Sequence, residues 1–183
     1  MAENTDGNAS ADGQNQQAGV GFPLVVINQF LKDFSFENPA GHDGLASLKE
    51  APTGLIRVDV RVKPMTPPDI EVALFMSVDA KAGDGKGGET AVYMVECEYA
   101  GIFRVGRVPQ EHVLPLIMIE APRLLFPFAR QVIANAIQSG GYPPLYINPV
   151  DFAALYRDKR AELMKAQAEG QPGAGPAEGN SIN

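Results

Sequence analysis

Apolar and polar residues alternate with a period of two through most of residues 25–105, and beyond that the period lengthens to that of a helix. In VVINQFLKDFSFEN the even positions Val26, Phe30, Phe34 and Phe36 are apolar, interrupted by Asn28 and Lys32. The odd positions Gln29, Asp33, Ser35 and Glu37 are polar. This spacing predicts a strand with its aromatic set on one face and its acids on the other. Ile56, Val58, Val60 and Val62 alternate with Arg57, Asp59, Arg61 and Lys63 in a second strand, and Val72, Leu74, Met76 and Val78 mark a third. In ETAVYMVECEYAGIFRV, a fourth strand, Ala91, Tyr93, Val95, Cys97 and Tyr99 share one face, and Met94, Glu96 and Glu98 share the other. Residues 38–53, with Pro39, Gly41, Gly44 and Pro52, read as a long loop that carries Leu45 and Leu48. Short connections between half-polar strands predict an antiparallel sheet with one face covered and one wet.

Residues 111–119 predict a short apolar helix or turn. From Pro122 to Ser139, Leu125, Phe128, Ala129, Val132, Ala136 and Ile137 recur at helical spacing. Gly140-Gly141 supplies a stop, and Pro127 is placed to kink a helix that begins at Pro122. A last helix is expected from Asp151, with Phe152, Leu155, Tyr156 and Leu163 on one side. Strands first and helices last is an α+β layout: a four-stranded antiparallel sheet with helices packed on one face. The Leu124–Ile133 run is apolar on more than one side, and Leu114, Leu116, Ile117, Met118 and Ile119 precede it. A helix apolar most of the way round is buried on two sides, so the second side is expected to meet another subunit.

Composition narrows the function. Hydrophobic residues make up 45% of the 183 and charged residues 20%, which is ordinary globular usage. Residues 1–19 and 169–183 are rich in Gly, Ala, Asn, Gln and Pro and are expected to be disordered tails around one domain at 20–168. The net charge is −7. Glu3, Asp6 and Asp12 at one end and Glu169 and Glu178 at the other leave only −2 between them. No basic surface is available for phosphates, so nucleic-acid binding is not expected. The N-terminus lacks the basic start and apolar core of a signal peptide. No stretch reaches the roughly 18 uncharged apolar residues of a spanning helix, because Glu120, Arg123, Arg130, Gln131 and Asn135 interrupt the best candidate. A cytoplasmic protein without membrane insertion is the expectation.

Catalytic chemistry finds little purchase. GDGKGGET resembles a phosphate loop only superficially, since Lys86 is followed by Gly-Gly and then by a strand; a flexible hairpin loop fits it better. His42 and His112 stand far apart with no second ligand at metal spacing. The single cysteine, Cys97, lies on an apolar strand position and reads as a core or interface residue rather than a nucleophile. Two features are left: the apolar excess of the helical half, and the acids Asp33, Glu37, Glu96 and Glu98 in the wet register of the sheet. Those acids serve solubility and edge protection on the simplest reading, or a basic partner on a functional one.

KDFSFENP (Lys32–Pro39), ETAVYMVECEYAGIFRV (Glu89–Val105), LLFPFARQVI, and GGYPPLYINPVDFAALY (Gly140–Tyr156) together resemble the SecB export chaperones, in order and spacing, over roughly residues 25–160. The resemblance implies a homotetramer, a dimer of dimers joined through helix layers. It also implies a protein that holds unfolded precursors in apolar grooves without ATP or any cofactor and passes them to the motor SecA. On that resemblance Asp33, Glu37, Met94 and Glu96 are the SecA-binding positions, and Val95, Cys97 and Tyr99 support subunit packing. Leu45, Leu48, Tyr156 and, more weakly, Phe128 line the client groove. Three other functions remain to be weighed: a SecB-like chaperone for a toxin–antitoxin pair or for general cytosolic clients, a small-molecule enzyme, and a purely structural oligomer. Relatives in this family often carry a tryptophan in the loop after the first strand, and this chain has no Trp.

Overall fold

The computed structural model describes residues 23–47, 52–83 and 88–169. Both predicted tails apart from Glu169, together with Leu48 and the centre of the glycine-rich hairpin loop, lie outside them. The elements run β1 (Leu24–Glu37), α1 (Gly41–Ser47), β2 (Thr53–Pro64), β3 (Asp69–Gly83) and β4 (Glu89–Val105). They continue with α2 (Gln110–Pro115), a π-helical turn (Leu116–Glu120), α3 (Ala121–Ser139) and α4 (Phe152–Glu169). All strand pairs are antiparallel, in the order β1-β4-β3-β2. The two long central strands therefore carry the core, and β1 and β2 are the edges.

On the covered face, Val72, Leu74, Met76 and Val78 of β3 and Cys97 and Phe103 of β4 are fully buried. Opposite them lie Leu125, Ala129, Ile133 and Ile137 of α3, each four residues apart and each 0% exposed. That spacing keeps one stripe of the helix against the sheet, and each fully buried Leu or Ile contributes about 1.5–3 kcal/mol. Gly101 permits the close approach: a Cβ there would lie 3.0 Å from Leu125 Cδ2 and 2.8 Å from Phe103 Cε2. β2, an edge strand, buries only its middle, with Val60 covered and Ile56 and Val62 exposed.

The helical run Gln110–Ser139 is 30 residues long, and by length and composition alone it could cross a membrane. One apolar stripe of it, Leu125, Ala129, Ile133 and Ile137, is buried against the sheet. Pro127 does not end α3, which is helical on both sides of it. Pro127 and Arg123, the residue whose carbonyl it leaves without an N–H, both lie on the exposed side of the helix. The helix closes as expected at its glycines. Gly141 takes φ +90°, and the Tyr142 N–H donates to the Ile137 carbonyl at 3.2 Å, a Schellman closure.

Two sequence expectations change. Residues 41–47 form a helix, α1, within the segment read as a loop; Asn38 Oδ1 accepts from the Gly41 N–H at 3.0 Å and starts it. Register shifts in β1 between Val26 and Asn28 and between Leu31 and Asp33 break its alternation. Phe30 pairs with Ala100, in the outer-face register, rather than joining Phe34 and Phe36, which pair with Cys97 and Val95. A bulge adds a residue to one strand only and so flips what precedes it, until the second shift returns Val26, opposite Phe103, to the inner register.

α4 begins at Asp151, whose Oδ1 accepts from the N–H groups of Ala153 and Ala154 at 3.0 Å each. Further along, Lys159 Nζ donates to Asp59 Oδ1 at 2.6 Å and to the Val60 carbonyl at 3.0 Å, tying α4 to the free edge of β2. The Ala154 N–H bond, with Ala153 and nearby Arg157 and Arg123 adding to it, holds the Asp151 carboxyl below its ordinary value. A carboxylate depressed on folding stabilises above its unfolded pKa and loses that contribution as pH falls through the lower folded value. Helicity of α4 is therefore expected to fade below the ordinary aspartate value of 3.8. Asp151→Asn, which keeps an acceptor, is expected to retain α4 at neutral pH and to lose that acid dependence. Helix content followed by circular dichroism against pH checks it.

Candidate functional site

Pairing of β1 with β4 brings four predicted residues into one patch. Glu37 stands opposite Met94, Ser35 opposite Glu96 and Asp33 opposite Glu98, all on the face away from the helices. Asp33, Glu37 and Glu96 are exposed, and Met94 is 36% exposed between them. The patch survives the irregularity of β1 because the bulge falls just before Asp33.

Charge compensation is uneven across this face. At the bulge, Lys32 Nζ reaches Glu71 and Glu98, both at 2.9 Å, and the two carboxylates hold its ammonium above the ordinary lysine value, Glu71 most. Arg61 adds a second bond to Glu98 at 2.8 Å and lies 4.4 Å from the centre of the Phe75 ring. Arg57 pairs with Asp79 at 2.7 Å, and Arg104 with Asp69 at 2.7 Å. Such exposed pairs contribute little stability each, but they cancel charge. Among the described residues no salt bridge engages Asp33, Glu37 or Glu96. Among the described residues the β1–β4 corner thus carries negative charge with no ion-pair partner around an apolar side chain, a combination suited to a basic and partly apolar partner. A cavity of about 560 Å³ adjoins it, lined by Leu55, Arg57, Asp79, Lys81 and Met94 among others.

Val95, Cys97 and Tyr99 face the other way. Val95 and Cys97 are 1% and 0% exposed under α3 of the same chain, and the Tyr99 ring stacks on Phe128 at 6.0 Å. Val95 and Cys97 are covered before any neighbour arrives, so whatever they contribute to assembly acts through the helix above them. Burial pushes the Cys97 thiol up to about 11, and the nearby Asp33 charge adds to this. A thiol raised on folding contributes stability that is complete below its unfolded value of 9.0 and is lost as pH rises through about 11. At neutral pH Cys97 is expected to resist a disulfide-exchange reagent in the native protein and to react at once in denaturing urea. Fast native labelling would contradict this placement.

The described residues expected to line a groove stand on three different helices. Leu45 is half-buried on α1, beside Gly141 at the end of α3. Phe128 lies 49% exposed on α3, and Tyr156 is half-buried on α4. Sequence reading gives no sign of one further apolar surface, on edge strand β1, where Val25, Val26, Ile27 and Leu31 are exposed and the bulges break the alternation. Leu114 and Leu124 are exposed along the helical run, the side that its apolar excess leads one to expect. Among the described residues no cluster of three or more His, Cys, Asp or Glu could hold a metal.

Comparison with known proteins matches residues 14–163 to the family described as preprotein translocase subunit SecB. The protein-export protein SecB of Bartonella quintana is 47% identical over 142 residues, 78% of this chain and 87% of that protein. Its namesake in Rhodopseudomonas palustris strain HaA2 is 44% identical over 163 residues, 89% of this chain and 98% of that one. Among solved structures, a SecB-like chaperone of Mycobacterium tuberculosis, in complex with a peptide from an antitoxin, superposes with a TM-score of 0.54. It is 13% identical, covering 70% of this chain and 91% of its own, and shares the fold. With residues 14–163 matched by the family model and these relatives more than 40% identical over most of its length, the chain belongs to the SecB family.

Proposed function

We propose that this protein is an ATP-independent chaperone of export, which binds unfolded precursors in the cytoplasm, keeps them competent for translocation and delivers them to SecA. The observation that carries the export assignment is the uncompensated corner of Asp33, Glu37 and Glu96 around Met94. A general holdase, or a chaperone dedicated to an antitoxin, has no need of an acidic docking face with its neutralising partners left out. Holding itself is passive. An unfolded segment gains about 0.8 kcal/mol per methylene it buries, and many weak contacts along one chain add through effective concentration. Exposed, flexible Met65 and Met164 suit clients of varied sequence.

Two apolar surfaces on one protomer, at the β1 edge and on the outer side of the α2–α3 run, support assembly through two kinds of contact, as a dimer of dimers requires. The test of the export assignment is direct binding of purified SecA. Micromolar or tighter association that weakens steeply with salt supports it, and the absence of any association would return the protein to the general-holdase reading.

A further inference from the structure

One amide joins the end of β1, the start of α1 and the end of α3. Asn38 Oδ1 accepts from the Tyr142 hydroxyl at 2.9 Å and from the Gly41 N–H at 3.0 Å. Its Nδ2 donates to the Gly140 carbonyl at 3.5 Å. Around it the corner is apolar and tight. Tyr142 is 2% exposed, its ring is 5.0 Å from that of Tyr93, and Tyr93 stacks on Phe36 at 6.3 Å. A side chain on Gly140 would run into the Phe36 ring, and one on Gly141 would lie 3.0 Å from Leu45 Cδ1. Burial raises the Tyr142 phenol above its ordinary value, so it remains a donor at neutral pH.

α1 is seven residues long and too short to be stable on its own. Its place is set by what holds it, and Asn38 has polar contacts to both of the segments α1 must join. Leu45 then closes over the Gly140–Gly141 turn, where lack of side chains lets it approach.

We propose that Asn38 is a positioning residue that seats α1 on the end of α3 and thereby fixes Leu45 at the client-binding surface, so that its bonds set how long an unfolded client is retained. The retention half of this rests on the proposed function; the seating half does not.

Asn38→Ala and Asn38→Asp separate the two in the full chain. The aspartate keeps the acceptor shared by Tyr142 and Gly41. Hydrogen exchange across residues 41–47 is read first, without client. Asn38→Ala is expected to accelerate it about tenfold, as the loss of one or two hydrogen bonds implies, with exchange in β3 and α3 little changed. Release of a reduced, carboxymethylated and therefore permanently unfolded protein is read second, and is expected to be about five- to tenfold faster on the same grounds. Asn38→Asp is expected to keep both close to the native rate. Unchanged exchange at 41–47 in Asn38→Ala, an equal rise throughout α3 and β3, or an Asn38→Asp chain as fast as Asn38→Ala would overturn the seating. Faster exchange with unchanged release would overturn the role in retention. A native chain that holds no client at all would count against the proposed function, while the exchange measurement would still decide the seating.

Discussion

Asp33→Lys combined with Glu96→Lys is expected to weaken SecA binding by roughly 100-fold or more while leaving client holding intact. Each reversal replaces an attraction with a repulsion at a docking face, where like-charge contacts cost several kcal/mol, and a 100-fold change needs only about 2.7 kcal/mol. Neither side chain has a salt-bridge partner among the described residues, so the protomer itself loses little. Glu98→Lys is a useful contrast on the same strand. It would break the bonds from Lys32 and Arg61 and place three cations together, so its effects would mix folding with docking. Calorimetry of the double variant against SecA, repeated at low and high salt, measures the effect. Because charges on an open surface are screened over about 8 Å at physiological ionic strength, the native affinity is expected to be salt-dependent and the variant's residual affinity much less so. Unaltered SecA affinity in the double variant would remove this corner from the docking surface.

The second large effect separates two neighbouring leucines. Leu125→Ala is expected to cost about 3 kcal/mol, within the range of 2–5 kcal/mol for emptying a well-packed site. Leu125 is 0% exposed, and its Cδ2 fills the space left by Gly101, so the cavity has little freedom to collapse. For a chain of this size the melting temperature would drop by roughly 6–12 °C. Leu124, one residue earlier and 43% exposed, faces away from the sheet. Leu124→Glu is expected to leave the protomer folded and to reduce its assembled mass, since a charge would be set into the proposed contact between helix layers. Thermal melts paired with light scattering read both. Equal melting losses for Leu124 and Leu125 would mean that α3 is not divided into a sheet-facing and a subunit-facing side.

How far the fold could be read from residues depended on whether local pattern or added geometry decided it. β2, β3 and β4 were legible because a period of two, once established, assigned each side chain to a face; Val72, Leu74, Met76 and Val78 are buried as that alternation requires. β1 was only half legible. Its bulge near Lys32 leaves no mark in a hydrophobicity pattern, so alternation groups Phe30 with Phe34 although the pairing puts it in the opposite register. α1 is hard to read because its Gly-rich residues favour no helix and its hold on the α3 turn runs through Asn38 to Gly140, a contact distant in sequence. The π-helical turn likewise has no local signature among the apolar residues Leu116–Ile119. Alternation places Asp33, Glu37, Met94 and Glu96 on one face, but their closeness depends on the β1–β4 register, and that the three acids lack ion-pair partners among the described residues is visible only in the folded sheet. Family resemblance supplied the roles that neither pattern nor packing states.

On the proposed function the protein holds unfolded chains by burying them on an assembled apolar surface, without nucleotide. Light scattering tests it directly when two quantities are taken on one sample: the mass of the purified chain, and the turbidity of a precursor diluted from denaturant in its presence, with no ATP. A mass near four protomers, with aggregation suppressed at about one tetramer per precursor, is the result predicted. A monomer that leaves the aggregation unchanged would contradict it.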